Sequence, residues 1–195
     1  MAQSEQDVVN NAPLENQFNF GKVDGNVNLS KKTRWQKRFE KLQHEVRNDI
    51  RYSTFIDEFN TYNTILDGIG LEQKLIDGGF SEKEIIKALN FKDKYARRVV
   101  LGEMYHAQQE IDVEIFSIID SNFSTYILPK ITECIDKTLI LECLLEKVIQ
   151  PILDLLNTEG EADEYLNYNA NDIYGMVYFL TGKCHLNWKD YDTLQ

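Results

Sequence analysis

The sequence predicts an all-α fold: an irregular helical bundle behind a short N-terminal arm. Three observations predict it. Apolar residues recur at spacings of three and four through most of the chain after residue 31. Helix-capping residues stand ahead of several of these runs, with Ser81 and Glu84 forming a capping box. Short apolar alternation is confined to residues 17–29. A chain of 195 residues accommodates one domain plus a tail. At this size roughly 70% of the unfolded surface can be buried, so neither disulfides nor metal are needed for folding. The 3 prolines and 10 glycines exclude collagen-like and low-complexity architectures.

Residues 1–30 form the arm, flexible or β-forming, and 31–195 the helical domain. In the arm, Phe18, Phe20, Val23, Val27 and Leu29 flank Gly21 and Gly25 in short alternating pairs. This pattern reads as a β-hairpin, and a lone hairpin is marginal in water. The arm therefore orders against the body or a partner, or stays disordered.

Ser30 or Thr33 caps the next helix. Trp35, Phe39, Leu42, Val46 and Ile50 form its apolar stripe. Lys31, Lys32, Arg34, Lys37, Arg38, Lys41, Arg47 and Arg51 make the rest basic, in a chain whose net charge is −11. Phe55, Ile56, Phe59, Tyr62 and Leu66 extend the stripe past a bend near residues 52–54 and end at Asp67-Gly68. A short helix over 71–77 stops at Gly78-Gly79. Ile85, Ile86 and Leu89 form the next buried face, interrupted at Asn90-Phe91. A long helix is then expected from about Lys92 to Asp120. Residues 124–157 are apolar on more than one side and read as the central, most buried helix. Pro129 suits a first turn, and Pro151 a kink or split. Residues 158–171 read as an acidic loop, and the basic helix 31–51 offers a complement to the acidic 154–172 region, within the chain or in another copy, as well as a face for a DNA backbone. Residues 173–180 form a short apolar helix ended by Thr181-Gly182.

Composition excludes several function classes. A net charge of −11 makes the chain a poor coat for nucleic acid or an anionic membrane, leaving only a local basic patch for such contact. The odd set Cys134, Cys143 and Cys184 reads as free thiols in a cytoplasmic protein. The N-terminus has no signal-peptide pattern, and no run is apolar enough to span a membrane. Glu103 and His106 make a single E-x-x-H, whereas di-iron sites need two, so His106 reads as a surface or interface histidine. Cys184-His185 lacks zinc-ligand spacing, and neighbours in a chain point apart, which disfavours a nucleophilic pair. Neither G-x-x-x-x-G-K-[ST] nor G-x-G-x-x-G occurs. No catalytic residue, metal or cofactor is expected. Residues 71–100 allow a helix-turn-helix, with Lys94, Arg97 and Arg98 meeting phosphates. Lys37, Arg38 and Lys41 on the basic helix are further candidate nucleic-acid contacts.

The run Ile173-Tyr174-Gly175-Met176-Val177-Tyr178-Phe179-Leu180-Thr181-Gly182-Lys183-Cys184-His185-Leu186-Asn187-Trp188 resembles a known closing signature. It is that of C-terminal domains from bacterial ABC-three-component defence systems, roughly G-M-x-Y-x-L-T-G-x-C-H-I-x-W. Leu71-Glu72-Gln73-Lys74-Leu75, with Ala88 and Lys94, is similar to the domain's middle L-x-x-K-L stretch. The arm 17–29 resembles the linker such domains carry upstream. The resemblance covers most of residues 31–190. It implies a Lamassu-like system, in which this domain joins an effector, such as a nuclease, to an SMC-like or ABC ATPase. The 30 residues ahead of the domain are too few for a nuclease, which leaves the tethering role. The expectation is thus a non-enzymatic cytoplasmic assembly subunit that binds ATPase and effector subunits, with a homo-oligomer left open. Phe18, Phe20, Val23, Val27, Tyr174, Tyr178, His185 and Trp188 are its candidate partner-binding residues. A DNA-binding regulator using residues 81–98 is the alternative, and charge reversal at Lys94, Arg97 and Arg98 separates the two. Cys184, Leu186 and Trp188 are expected to plug a core or a partner groove, because large apolar residues there would otherwise form an exposed patch.

Overall fold

The structure, a computed structural model, describes residues 31–100, 105–161 and 163–191. The arm and its candidates Phe18, Phe20, Val23 and Val27 lie outside the described residues, as does Glu103. Every regular element among the described residues is helical, and all fall within the unit Lys32–Gln195.

Helix α1 spans Arg34–Arg47. Thr33 caps it: its hydroxyl accepts from the Gln36 amide at 3.1 Å, and the Gln36 side chain accepts from the Thr33 amide at 3.2 Å. Trp35, Phe39 and Leu42 bury the apolar stripe. The following stretch does not run on to Asp67-Gly68. Helix α2 is only Asp57–Asn63, and Thr64 is already extended at ψ 137°. Leu66 is consequently exposed. Gln109 positions the approach to α2, its side-chain oxygen accepting from the Ile56 amide at 2.8 Å.

Helix α3 is Leu71–Asp77 and α4 is Glu82–Val100. The turn between them needs Gly79, whose φ is +74°. Glu84 reaches back to accept from the Ser81 amide at 2.6 Å. Helix α4 runs through Asn90-Phe91 without a break, because that stretch is packed against the last helix, and Ile86 faces solvent rather than the core. The break falls later. Tyr105 is extended (φ −71°, ψ 145°), and α5, His106–Asn122, starts after it. Tyr105 provides no side-chain cap. The buried Glu45 of α1 does so instead, accepting from the Ala107 amide at 2.9 Å.

Residues 124–157 are not the central helix. They divide into a π-helical turn Phe123–Ile127, α6 Leu128–Thr132, α7 Lys137–Leu144, a second π-helical turn Leu145–Ile149, and α8 Gln150–Glu159. Helix α6 buries nothing, and Cys134 turns the chain at φ +54°. Pro129 and Pro151 each lie in the first turn of the helix that follows a π turn. Pro151 has no N–H for the carbonyl four residues back, that of Lys147, and the Asn122 amide donates to it at 3.0 Å. The centre belongs to α5 and α9 (Ala170–Gly182), where Ile111, Ile115, Phe116, Ile119, Ile173, Met176, Val177 and Leu180 are all fully enclosed. Helices α4 and α9 pack side by side. At Gly175 a Cβ would stand 2.6 Å from the Phe91 carbonyl oxygen and 3.2 Å from Tyr95 Cβ.

Candidate functional site

The segment after α9 folds back onto α3. Lys74, in the Leu71–Leu75 stretch, is fully buried. Its ammonium donates to Asp67 Oδ2 at 3.0 Å and to Asn187 Oδ1 at 2.6 Å. Cys184 Sγ donates to the Asp67 and Ile69 carbonyls at 3.4 and 3.6 Å, and the Leu66 amide donates to the Lys183 carbonyl at 3.2 Å. Partial burial of Asp67 acts the other way, but hydrogen bonds from Cys184 and Lys74 hold its carboxyl below the usual range. Trp188 is 4% exposed. Its indole N–H donates to Thr181 Oγ1 at 3.2 Å, and its ring meets Phe80 at 5.0 Å and Phe123 at 5.2 Å edge-on. Gly78 admits it: a Cβ there would lie 2.7 Å from Trp188 Cβ.

Residues 70–188 match C-terminal domain 9 (CTD9) of the ABC-three component (ABC-3C) systems. The chain belongs to this family. No curated protein and no solved structure matches it. The CTD9 match begins beside Leu71 and ends on Trp188, the two regions that Lys74 and Gly78 join. Both motif stretches are therefore halves of one intramolecular junction.

Of the candidate partner-binding residues in CTD9, Trp188 is enclosed by its own chain. His185 is half-buried, its ring 5.3 Å from Tyr62. Burial pushes its imidazole below the usual pKa, and its buried Nε2 has no hydrogen-bond partner among the described residues. Tyr178 is buried, and burial raises its hydroxyl pKa. Tyr174 is half-buried, stacked between Phe91 at 6.3 Å and Tyr178 at 6.4 Å. Tyr174 and Tyr178 share a cavity of about 240 Å³ with Phe80, Glu84, Lys87 and Leu141. Tyr174 is thus only half-buried, part of its side chain lining this cleft.

Most of the candidate nucleic-acid contacts are already engaged with carboxylates. Arg38 pairs with Glu114 at 3.0 Å and Lys41 with Glu110 at 2.9 Å, both on α5. The acidic complement of α1 is therefore chiefly α5; towards the expected loop region, the Thr33 hydroxyl donates to Glu159 and Phe39 packs close to Gly160. Lys94 pairs with Asp172 at 2.6 Å, and Arg98 lies 3.9 Å from the same carboxylate and over the Tyr168 ring. Lys37 and Arg97 are exposed. Charge reversal at Lys94 and Arg98 would strike Asp172, whose carboxylate also caps α9 through the Asn169 amide at 3.1 Å. Arg97 is the clean test position.

The sequence reading passed over Asp112. It is fully buried on α5 and accepts from Tyr95 at 2.9 Å and Tyr168 at 2.7 Å. Desolvation pushes its carboxyl up to about 7, against the pull of both hydroxyls and Arg98. The only sequence signal was its position on the apolar face, between Ile111 and Ile115. Among the described residues, no group of three or more His, Cys, Asp and Glu is placed to hold a metal. No described helix is long and apolar enough to cross a membrane.

Proposed function

We propose that this CTD9 chain is a non-enzymatic assembly subunit of a bacterial anti-phage or anti-plasmid defence complex of Lamassu type, acting in the cytoplasm. It holds an SMC-like or ABC ATPase and an effector nuclease subunit together. The observation that carries this reading is the family match over residues 70–188. The architecture supports it in kind. At the motif junction the buried Lys74 of α3 bonds to the partly buried Asn187, and the buried Thr181 of α9 accepts from Trp188, which ties the C-terminal segment to α3 and to α9. That is the work of a rigid scaffold.

Co-expression of the tagged chain with the products of neighbouring reading frames, followed by a pull-down, tests the proposal. The ATPase subunit should co-purify in stoichiometric amount, and light scattering of the chain alone reports whether it also self-associates. Recovery of the folded chain without any of these products would overturn it. The helix-turn-helix alternative predicts DNA retention that Arg97→Glu abolishes. The assembly reading predicts that Arg97→Glu leaves ATPase co-purification unchanged. The in-chain pairing of Lys94 and Arg98 with Asp172 favours assembly.

A further inference from the structure

The hairpin formed by α6 and α7 is attached differently from the rest of the body. It is bounded by two π-helical turns, Phe123–Ile127 and Leu145–Ile149. Short π stretches inside helices leave backbone hydrogen bonds irregular and mark places where a helix bends. Each turn is followed by a proline, Pro129 or Pro151, which removes a further backbone donor. The close backbone neighbours of α6 and α7 are these same turns, rather than α3, α4 or α9. Helix α6 buries no residue, and α7 buries only Ile140 and Leu144.

Two half-open clefts run along the seam between the hairpin and the body. A cavity of about 330 Å³ separates Ile131, Ile135 and Ile140 from Gly78, Phe80 and Trp188. The cavity of about 240 Å³ beside it separates Leu141 from Phe91, Tyr174 and Tyr178. Where water fills these clefts, the side chains on either side make no direct contact across the seam. Lys137, at the start of α7, reaches across it with polar contacts. Its ammonium donates to Glu84 Oε2 at 2.7 Å and to the Gly79 carbonyl at 3.1 Å, and lies 5.4 Å from the centre of the Phe80 ring. The Lys137 and Glu84 side chains are 32% and 35% exposed. Lys137 holds the Glu84 carboxyl down to about 2, with help from Ser81.

The geometry points to a hinged flap. Residues 128–144 swing as one body about the two π turns, with the Lys137–Glu84 pair as the clasp. Opening uncovers Phe80, Tyr178 and Trp188, whose junction with α3 stays closed because Lys74 and Asn187 lie on the body side.

Hydrogen–deuterium exchange on the full chain tests this. Amides of 128–144 should exchange together, at least about tenfold faster than those of α5 and α9, as expected of a separately opening unit. Lys137→Met, which keeps the apolar stem and removes the clasp, should speed the hairpin about two- to fivefold, the factor a half-exposed ion pair supplies. It should leave α5 and α9 unchanged. Exchange of the hairpin at the rate of α5 and α9 would overturn the flap. So would a Lys137→Met variant that leaves the hairpin rate unaltered or accelerates all three regions equally.

Discussion

Asp112 is a carboxyl group cut off from water, and among the described residues Tyr95 and Tyr168 donate to it, at 2.9 and 2.7 Å. Its pKa of about 7 lies above the ordinary carboxyl value near 4. A group that binds its proton more tightly when folded stabilises the fold fully below its unfolded pKa, and that stabilisation is lost as pH rises through the folded value. Between about pH 4 and pH 7, then, Asp112 makes the chain less stable as pH rises. Asp112→Asn should remove this dependence, so that urea unfolding at pH 5 and pH 8 shows the variant gaining on the wild type at the higher pH. Glu84, held down to about 2, loses its contribution only in more acid solution, below its ordinary range. It is common to both proteins and cancels in the comparison. Lys74 is the converse case, a buried cation with both acceptors on hand. Lys74→Met removes a donor from Asp67 and Asn187, and urea denaturation should show a loss of about 2–3 kcal/mol, below the full cost of breaking a buried pair because Asp67 is partly hydrated and keeps the Ile69 amide. Neither role was readable from spacing. Asp112 breaks an apolar stripe and Lys74 stands between two leucines, and only the partners that surround each decide what the charge does.

At the scale of the element, packing overrides local signals. The spacing of Trp35, Phe39 and Leu42, the Thr33 cap and the Gly79 turn were legible because each depends on residues within one or two turns. The continuity of α4 was not, because a weak helix former such as Asn90 is outweighed by the contact of Phe91 with α9. That contact fits only glycine at position 175. Gly175→Ala places a methyl group against the Phe91 carbonyl and should cost about 1–3 kcal/mol of stability, read from the shift in urea midpoint at constant m value. The start of α5 was hidden for a related reason. Its cap is Glu45, sixty-two positions upstream, and no local pattern announces it. The apolar wealth of 124–157 suggested one central helix, yet π turns and prolines divide it, and several of its large residues, Leu139 and Leu145 among them, remain exposed.

For the whole molecule, the closing segment is the decisive piece. Trp188 fills the space left by Gly78 between Phe80 and Phe123, so Trp188→Ala should cost about 3–5 kcal/mol and broaden or abolish cooperative thermal unfolding, followed by circular dichroism. A variant that unfolds as cooperatively as the wild type would show that the junction is dispensable. The sequence by itself determined that the body is helical, where its first caps and turns lie, and that the stretches at 71–75 and 173–188 belong to an ABC-three-component domain. Helical periodicity, capping and motif identity are local properties of a chain. Only the tertiary structure decided that these two stretches bind each other, that α1 is neutralised chiefly by Glu110 and Glu114, and that Trp188 faces inward. Such facts depend on which surfaces meet across long separations, and burial, desolvation and charge pairing have no value until they do.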